Sequence, residues 1–204
     1  MRIDIWSDYV CPFCTLGERH LARALELAGR EDVEIVWRSF QLDPDAPQES
    51  TGPALEYLTR VKGMSEEQVV AMNDGLAARA AEVGLEFNWR ESQMVNTRDA
   101  HRIGILAREN GRGAEWDERV KRAYFTEGGN IADHAQLRAL AAEVGLDARE
   151  ILADETVFAA EVDEDIALAR QIGVQGVPFF VFDGKLAVSG AQPVEVFTQA
   201  MEQL

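Results

Sequence analysis

The chain has 204 residues, of which 47% are hydrophobic and 27% charged, a balance typical of a globular protein and not of a disordered or fibrous one. Its 36 acidic and 20 basic side chains give a formal net charge of −16, which disfavours binding to nucleic-acid phosphates or anionic lipid surfaces. No apolar run approaches the roughly 18 residues that a membrane span needs, and acidic residues interrupt the start, where a secretory signal would stay apolar. We therefore expect a cytoplasmic protein with no nucleic-acid or membrane partner.

The first part of the chain predicts a strand, a helix and a second strand. Residues 2–7 carry alternating apolar side chains that favour a strand. A helical pattern follows, with Pro12 in its first turn and Gly29 at its C-terminal cap. Residues 33–40 form the second strand. A unit of this length is typical of a right-handed βαβ crossover with parallel strands.

The middle of the chain predicts an all-helical block. Prolines punctuate a loop after the second strand, and helical patterns joined by short turns then continue until a strand signal returns near the C-terminus. Ser65 with Gln68, and Asp133 with Gln136, predict capping boxes. Residues 143–165 carry nine acids and one Arg, which indicates a solvated helical face, with a docking surface as the alternative. Three helical patterns end at glycine: Gly84, Gly111 and Gly145.

The end of the chain predicts a hairpin and a last helix. Residues 179–182 and 185–188 are rich in β-forming side chains, and Asp183-Gly184 between them is a strong hairpin signal. Pro193 fits the first turn of a final amphipathic helix. The predicted order is therefore βαβ, a helical block and ββα.

The chain has two cysteines, Cys11 and Cys14, and a disulfide across so small a loop would add little chain-entropy stabilisation. They follow the first strand and open the first helix, where unpaired backbone N–H groups and the helix dipole stabilise a thiolate at Cys11. Cys14 lies one turn further along, within reach of Cys11 but shielded. We expect Cys11 to attack and Cys14 to resolve, with Pro12 making the turn rigid and Phe13 offering an apolar surface to a partner.

A zinc site is the first alternative for the cysteine pair, since two ligands at this spacing often begin one. The chain has no second cysteine pair, and its histidines show no two-histidine spacing: His20, His101 and His134. A buried, inert pair is the second alternative. We expect neither a metal ion nor a bound organic cofactor.

Several motifs of the chain occur together in one known family. Cys-Pro-Phe-Cys at residues 11–14, the helical insertion, and Gly-Val-Pro-Phe-Phe at residues 176–180 before a ββα ending resemble the DsbA-like group of thioredoxin-fold proteins, and within it the cytoplasmic FrnE-like branch. The resemblance covers essentially the whole chain. Further matching motifs are Ser7-Asp8, Asn96-Thr97, Ala100-His101, Tyr124-Phe125, Glu127-Gly128, Asn130-Ile131 and Ser189-Gly190-Ala191-Gln192.

The resemblance implies an α/β thioredoxin fold interrupted by an all-helical insertion. We assign residues 1–42 and 155–204 to the thioredoxin-like domain and residues 43–154 to the helical insertion subdomain. The active site is then expected at the seam between the two.

The same resemblance implies a substrate-binding surface around the cysteines. Pro178 corresponds to the family's cis-proline, which faces the cysteine pair and leaves the backbone of Val177 free to pair with an extended peptide. The residues alone favour a trans proline that begins a strand. A neighbouring loop is expected to hold a small thiol or a peptide end, through Gly190, Ala191 and Gln192.

Three side chains are candidates for proton transfer. His101 could face the cleft from the insertion and assist it, and the alternative is a partly buried helix side chain. Asp4 and Asp8 flank the end of the first strand, and either could accept a proton from Cys14. A solvated or capping role is the alternative for both.

The resemblance implies a thiol–disulfide oxidoreductase that reduces, forms or isomerises disulfides of a protein or a small thiol, with glutathione or a dithiol reductant as co-substrate. The strongly oxidising periplasmic relatives have histidine at the position of Phe13, so we expect a redox potential between ~−120 and ~−270 mV.

The rival function is that of a glutathione-dependent isomerase or transferase of the 2-hydroxychromene-2-carboxylate isomerase or kappa-class type, which typically has serine where Cys11 stands. A non-enzymatic binding module is the third hypothesis. A homodimer is compatible with all three hypotheses.

Overall fold

The structure is a computed structural model that describes residues 1–48, 52–61 and 63–204. Its centre is a four-stranded mixed sheet with the strand order β2-β1-β3-β4. Strand β1 (Arg2–Ser7) pairs in parallel with β2 (Glu34–Ser39) and antiparallel with β3 (Phe179–Phe182), which pairs antiparallel with β4 (Leu186–Ser189). The predicted βαβ and ββ units are confirmed: β1 and β3 have their predicted bounds, and the ends of β2 and β4 are displaced by one residue.

The helices of the described residues follow the predicted order. Helix α1 (Pro12–Leu27) connects β1 to β2, and the last helix, α9 (Val194–Glu202), packs beside α1. Pro193 is the N-cap of α9, one residue before the helix begins. Between β2 and β3 lie α2 (Ala54–Arg60), α3 (Glu66–Glu82), α4 (Arg98–Glu109), α5 (Gly113–Phe125), α6 (His134–Glu143), α7 (Arg149–Ala153) and α8 (Ala159–Gln171).

The local turn and cap signals determine where these elements end. Asp183 (φ 47°) and Gly184 (φ 67°) both adopt the left-handed conformation that a tight hairpin between β3 and β4 requires. The Ser65–Gln68 capping box has both of its hydrogen bonds. The second predicted box is wrong in one half: Asp133 accepts from the N–H of Gln136, but its own N–H donates to the carbonyl of Asn130 instead of to a side chain.

Each face of the sheet has its own hydrophobic core, and the helical block has a third. The α1 and α9 side buries Ile3, Ile5 and Phe180, whereas the opposite side buries Trp6 under α8. We retain residues 1–42 and 155–204, with an insertion over 43–154, as our proposed domain division. In the part of the chain that the structure describes, no helix is long and apolar enough to cross a membrane.

The acidic run of residues 143–165 is solvated except at its end. Asp165 is buried and accepts hydrogen bonds from Arg38 at 2.7 Å, from Arg108 at 2.9 Å and from the backbone N–H of Ser39 at 3.0 Å. The expectation of a solvated face is therefore wrong for Asp165. This carboxylate joins α8 and α4 to β2 and so fixes the helical block on the sheet.

Candidate active site

The two cysteines occupy the first turn of α1. Cys11 is the N-cap, with an extended backbone (φ −94°, ψ 107°), and Pro12 occupies the start of the helix, where a missing N–H costs no helical hydrogen bond. The N–H of Cys11 donates to the carbonyl of Asp8 at 3.1 Å, and the N–H of Cys14 donates to the carbonyl of Cys11 at 3.0 Å. Both thiols are free. The chain therefore turns sharply after β1 and presents a dithiol at a helix N-terminus.

The two thiols differ in their environment. Cys11 is 4% exposed, Cys14 is fully buried, and Phe13 between them is 39% exposed. Burial raises the pKa of the Cys14 thiol well above its ordinary value, and the hydrogen bond to Cys11 and the proximity of that sulfur raise it further. The Cys14 thiol is thus protonated at neutral pH, which suits a group that reacts second.

The loop that contains Pro178 faces Cys11. The Val177–Pro178 peptide bond is cis, and the Cys11 thiol donates to the carbonyl of Val177, with 3.6 Å between sulfur and oxygen. The Val177 carbonyl is therefore occupied in the dithiol form. Because a thiolate or a disulfide sulfur has no hydrogen to donate, this carbonyl becomes an available acceptor once Cys11 has reacted.

The loop at residues 189–192 lies beside the cis-proline. The N–H of Gly190 donates to the carbonyl of Pro178 at 2.8 Å, and the Nδ1 atom of His20 lies 2.7 Å from the carbonyl oxygen of Gln192. Ala191 packs against α1 at Gly17. The structure thus places five of the predicted binding residues in two adjoining loops against Cys11 and α1: Val177, Pro178, Gly190, Ala191 and Gln192.

Gly17 is a positioning residue that the sequence analysis missed. A Cβ atom at this position would lie 2.9 Å from Cγ of Pro178, 3.1 Å from Cζ of Phe180 and 3.3 Å from Cα of Ala191. Such distances are shorter than normal carbon–carbon contacts. A glycine inside a helix costs stability relative to alanine. Its presence within the predicted first helix was therefore the signal that could have marked this position as one where a side chain does not fit.

We expect Gly17→Ala to destabilise the protein by about 1–3 kcal/mol and to change the rate at which Cys11 reacts with a disulfide reagent, because the added methyl group displaces the cis-proline loop. Gly75→Ala in α3 is the matched control, since a Cβ there meets no atom within 4 Å. That control should be neutral or stabilising by up to about 1 kcal/mol. Urea unfolding and the rate of thiol labelling by a disulfide reagent provide the measurements, and equal effects of the two substitutions would contradict this account.

A buried group of charges lies behind Cys14. Lys121 of α5 is 3% exposed, and its Nζ atom donates to both oxygens of Glu18 (2.6 and 2.5 Å), to Oδ2 of Asp117 (2.8 Å) and to the Ser7 hydroxyl (3.0 Å). We call Glu18, Asp117 and Lys121 the buried charge cluster. It connects α1, which bears the cysteines, to α5 of the helical block.

The buried charge cluster acts on Cys14 electrostatically. Burial disfavours the ammonium group, but the carboxylates of Asp117 and Glu18 outweigh it and raise the pKa of Lys121. Burial and the proximity of Glu18 raise the pKa of Asp117 well above its ordinary value, against the opposing effect of Lys121. Lys121 therefore remains positively charged, and this charge lowers the pKa of Cys14 against the effects of burial.

The three predicted candidates for proton transfer have other side-chain partners. His101 is buried, its Nε2 atom is 3.3 Å from Oδ1 of Asp8, and its ring stacks on Tyr9 with 4.7 Å between centroids. Asp8 also accepts from the N–H of Leu42 at 2.8 Å. Asp4 forms ion pairs with Arg2 and Arg38. His101 and Asp8 thus support the turn that leads to Cys11, and a part for His101 in proton transfer stays a prediction.

Comparisons with known proteins identify the family. The model of the DSBA-like thioredoxin domain matches residues 2–202. The chain belongs to this family. Membership confirms the thioredoxin fold with its helical insertion, while the FrnE-like branch stays a prediction. Among the described residues, no group of three or more His, Cys, Asp or Glu side chains could hold a metal ion.

Individual relatives agree with this membership. The chain is 30% identical over 210 residues to the uncharacterized protein YwbO of Bacillus subtilis, covering 98% of this chain and 96% of that protein. The crystal structure of a probable DsbA oxidoreductase from Streptomyces coelicolor matches with a TM-score of 0.94 and 43% identity, over 100% of this chain and 89% of that one. A 2-hydroxychromene-2-carboxylate isomerase matches with a TM-score of 0.74 and 18% identity, over 100% and 95%, and so shares the fold.

Proposed function

We propose that this protein is a thiol–disulfide oxidoreductase that acts on disulfides of proteins or small thiols. The observation that carries the proposal is the dithiol itself, with Cys11 at the N-terminus of α1 facing the Val177 carbonyl and Cys14 buried behind it. A second thiol permits two-electron exchange, which a single hydroxyl at this position cannot perform. That difference favours this reaction over the glutathione-dependent isomerase, whose fold is the same.

The reaction has two exchange steps. The Cys11 thiolate attacks one sulfur of the substrate disulfide, a bond forms between Cys11 and that sulfur, and the other substrate sulfur leaves as a thiolate that takes up a proton. The Cys14 thiol then loses its proton and attacks the Cys11 sulfur. The second substrate thiol is released, and the protein is left with a Cys11–Cys14 disulfide. Glutathione or a dithiol co-substrate reduces this disulfide and completes the cycle.

The surroundings of Cys11 support a site for an extended substrate. The Val177 carbonyl is freed when Cys11 reacts, and it offers a backbone acceptor to a peptide bound along the cis-proline loop. Phe13 adds an exposed apolar ring next to the thiols. Gly190, Ala191 and Gln192 form the far side of this surface, where a peptide end or a small thiol is proposed to bind.

The proposed direction is reduction or isomerisation in a cytoplasmic setting. A neutral Phe13 gives the Cys11 thiolate no additional positive charge, so the dithiol is less strongly oxidising than one with histidine there. Catalytic reduction of insulin disulfides by glutathione or dithiothreitol tests the activity. A rate no higher than that of the reductant alone would overturn the proposal.

The second exchange step should accelerate as the pH rises. Burial raises the pKa of Cys14, and only its thiolate attacks, so below that pKa the reactive fraction grows about tenfold per pH unit. Release of a fluorescent thiol from its mixed disulfide with Cys11, followed between pH 6 and pH 9, measures this step. A release rate that does not change with pH would contradict the assigned role of Cys14.

A further inference from the structure

A cavity of about 500 Å³ lies over the edge strand β2, between α1 and the helical block. We call it the β2 cavity. Strand β2 contributes Ile35 and Trp37, α1 contributes Leu25, α3 contributes Leu76 and α5 contributes Phe125. Its lining is therefore mainly apolar and draws on both the sheet and the helical insertion.

The β2 cavity is separate from the reacting sulfur atoms. Helix α1 lines it with Pro12 and Thr15, which are neighbours of the cysteines in the chain, but neither Cys11 nor Cys14 is among the described residues that line it. A molecule bound there contacts the active-site helix without entering the exchange reaction. Binding at this cavity would therefore be a property additional to the proposed disulfide exchange.

The size and lining of the β2 cavity are those of a small-molecule site. Ligand pockets typically measure about 300–1,000 Å³, are mainly apolar with a few polar groups, and often lie between domains. Trp37 and Phe125 supply aromatic rings to the wall, which favour a flat aromatic occupant.

The charges of the β2 cavity disfavour an anionic occupant. Three cations line it among the described residues, and each is already paired: Lys121 with Glu18 and Asp117, Arg19 with Glu118 at 3.1 Å, and Arg122 with Glu127 at 3.2 Å. An anion would find no spare positive charge there and would meet a chain of formal net charge −16.

The buried charge cluster forms the polar end of the β2 cavity. The carboxylate oxygens of Glu18 and Asp117 accept from Lys121, and each oxygen can accept more than one hydrogen bond. A hydroxyl or an N–H group on the occupant could therefore donate a further hydrogen bond to these carboxylate oxygens.

We propose that the β2 cavity binds one neutral aromatic molecule that carries a hydroxyl or N–H donor, with the donor directed at the carboxylates of Glu18 and Asp117. The rings of this molecule occupy the apolar region against Trp37. The ligand would thus share α1 and the buried charge cluster with Cys14 while leaving the cysteine sulfurs accessible.

The experiment compares two fluorescent probes on the full-length protein in its dithiol form. N-Phenyl-1-naphthylamine is neutral and has one N–H donor, whereas 1-anilinonaphthalene-8-sulfonate has the same ring system with a negative charge. The neutral probe should bind with a stoichiometry of one per chain, and the sulfonate should bind at least about tenfold more weakly. Equal affinities of the two probes, or no saturable binding of the neutral probe, would overturn the proposal.

Pocket-filling variants locate the binding. Ala22 and Ala114 line the β2 cavity but are exposed, so a larger side chain there can fill it without disturbing the core. Ala22→Trp and Ala114→Trp should each weaken the binding of the neutral probe by at least about tenfold. Ala139→Trp, an exposed helical position in α6 outside the cavity, is the matched control and should bind the probe as the unmodified protein does.

The outcomes separate this proposal from the proposed function. Binding that is lost equally in Ala22→Trp and Ala139→Trp would place the probe elsewhere and overturn the inference. The double variant Cys11→Ser/Cys14→Ser should bind the neutral probe unchanged, because no thiol lines the cavity among the described residues. Loss of binding in that double variant would also contradict a separate site, whatever the result of the disulfide assay.

Discussion

Cys11→Ser is expected to abolish disulfide reduction, lowering the rate by more than about 10³-fold. Serine does not ionise at neutral pH and cannot form the mixed disulfide, so the first exchange step is lost. Cys14→Ser is expected to behave differently, because Cys11 still attacks but nothing resolves its product. Intact-mass analysis after incubation with oxidised glutathione should show one glutathione on Cys14→Ser and none on the double variant Cys11→Ser/Cys14→Ser.

This pair of variants also separates the two reactions that the fold supports. The glutathione-dependent isomerase reading needs no resolving thiol, so it predicts that Cys14→Ser retains full catalytic activity. The oxidoreductase proposal predicts that, with no thiol added, this variant stops at the mixed disulfide between Cys11 and the substrate. Disulfide turnover by Cys11→Ser at the rate of the unmodified protein would place the reaction away from α1 and would contradict the proposal.

Lys121→Met is expected to destabilise the protein by roughly 3–5 kcal/mol, because it leaves the buried Asp117 and the partly buried Glu18 without their cation. Lys185→Met is the matched control, since Lys185 is exposed, and it should change the free energy of unfolding by less than about 0.5 kcal/mol. Urea unfolding at neutral pH measures both. Identical unfolding of Lys121→Met and the unmodified protein would show that the buried charge cluster contributes nothing to stability.

Lys121→Met should also change the chemistry of Cys14. The ammonium group lowers the pKa of that thiol, so its removal should shift the pH profile of mixed-disulfide resolution to higher pH. Lys121→Arg retains the positive charge and should retain the profile even if it costs stability. A profile that is unchanged in Lys121→Met would limit Lys121 to a structural role.

The parts of the fold that could be predicted from the sequence are those set by local residues. Asp183-Gly184 specifies the hairpin because both residues tolerate a left-handed backbone, and Ser65 with Gln68 specifies the start of α3 through paired hydrogen bonds. The Cys-Pro-Phe-Cys turn is equally local, since proline at the helix start and a sulfur at the N-cap depend only on neighbouring residues.

The features that the sequence did not reveal depend on packing between distant elements. Asp117 and Lys121 are four residues apart on α5, a spacing typical of an exposed ion pair, and only the packing of α5 near α1 buries them with Glu18. Asp165 lies within an acidic run and differs from its neighbours only because Arg38 and Arg108 converge on it. No pattern within one helix carries that information.

The redox equilibrium of the dithiol tests the central claim most directly. The protein is equilibrated in buffers with graded ratios of reduced to oxidised glutathione, and the thiol content is read by mass labelling. The account predicts one reversible two-electron transition between Cys11–Cys14 dithiol and disulfide, with a potential between ~−120 and ~−270 mV and a glutathione adduct as intermediate. Absence of a transition over this range would contradict a function in thiol–disulfide exchange.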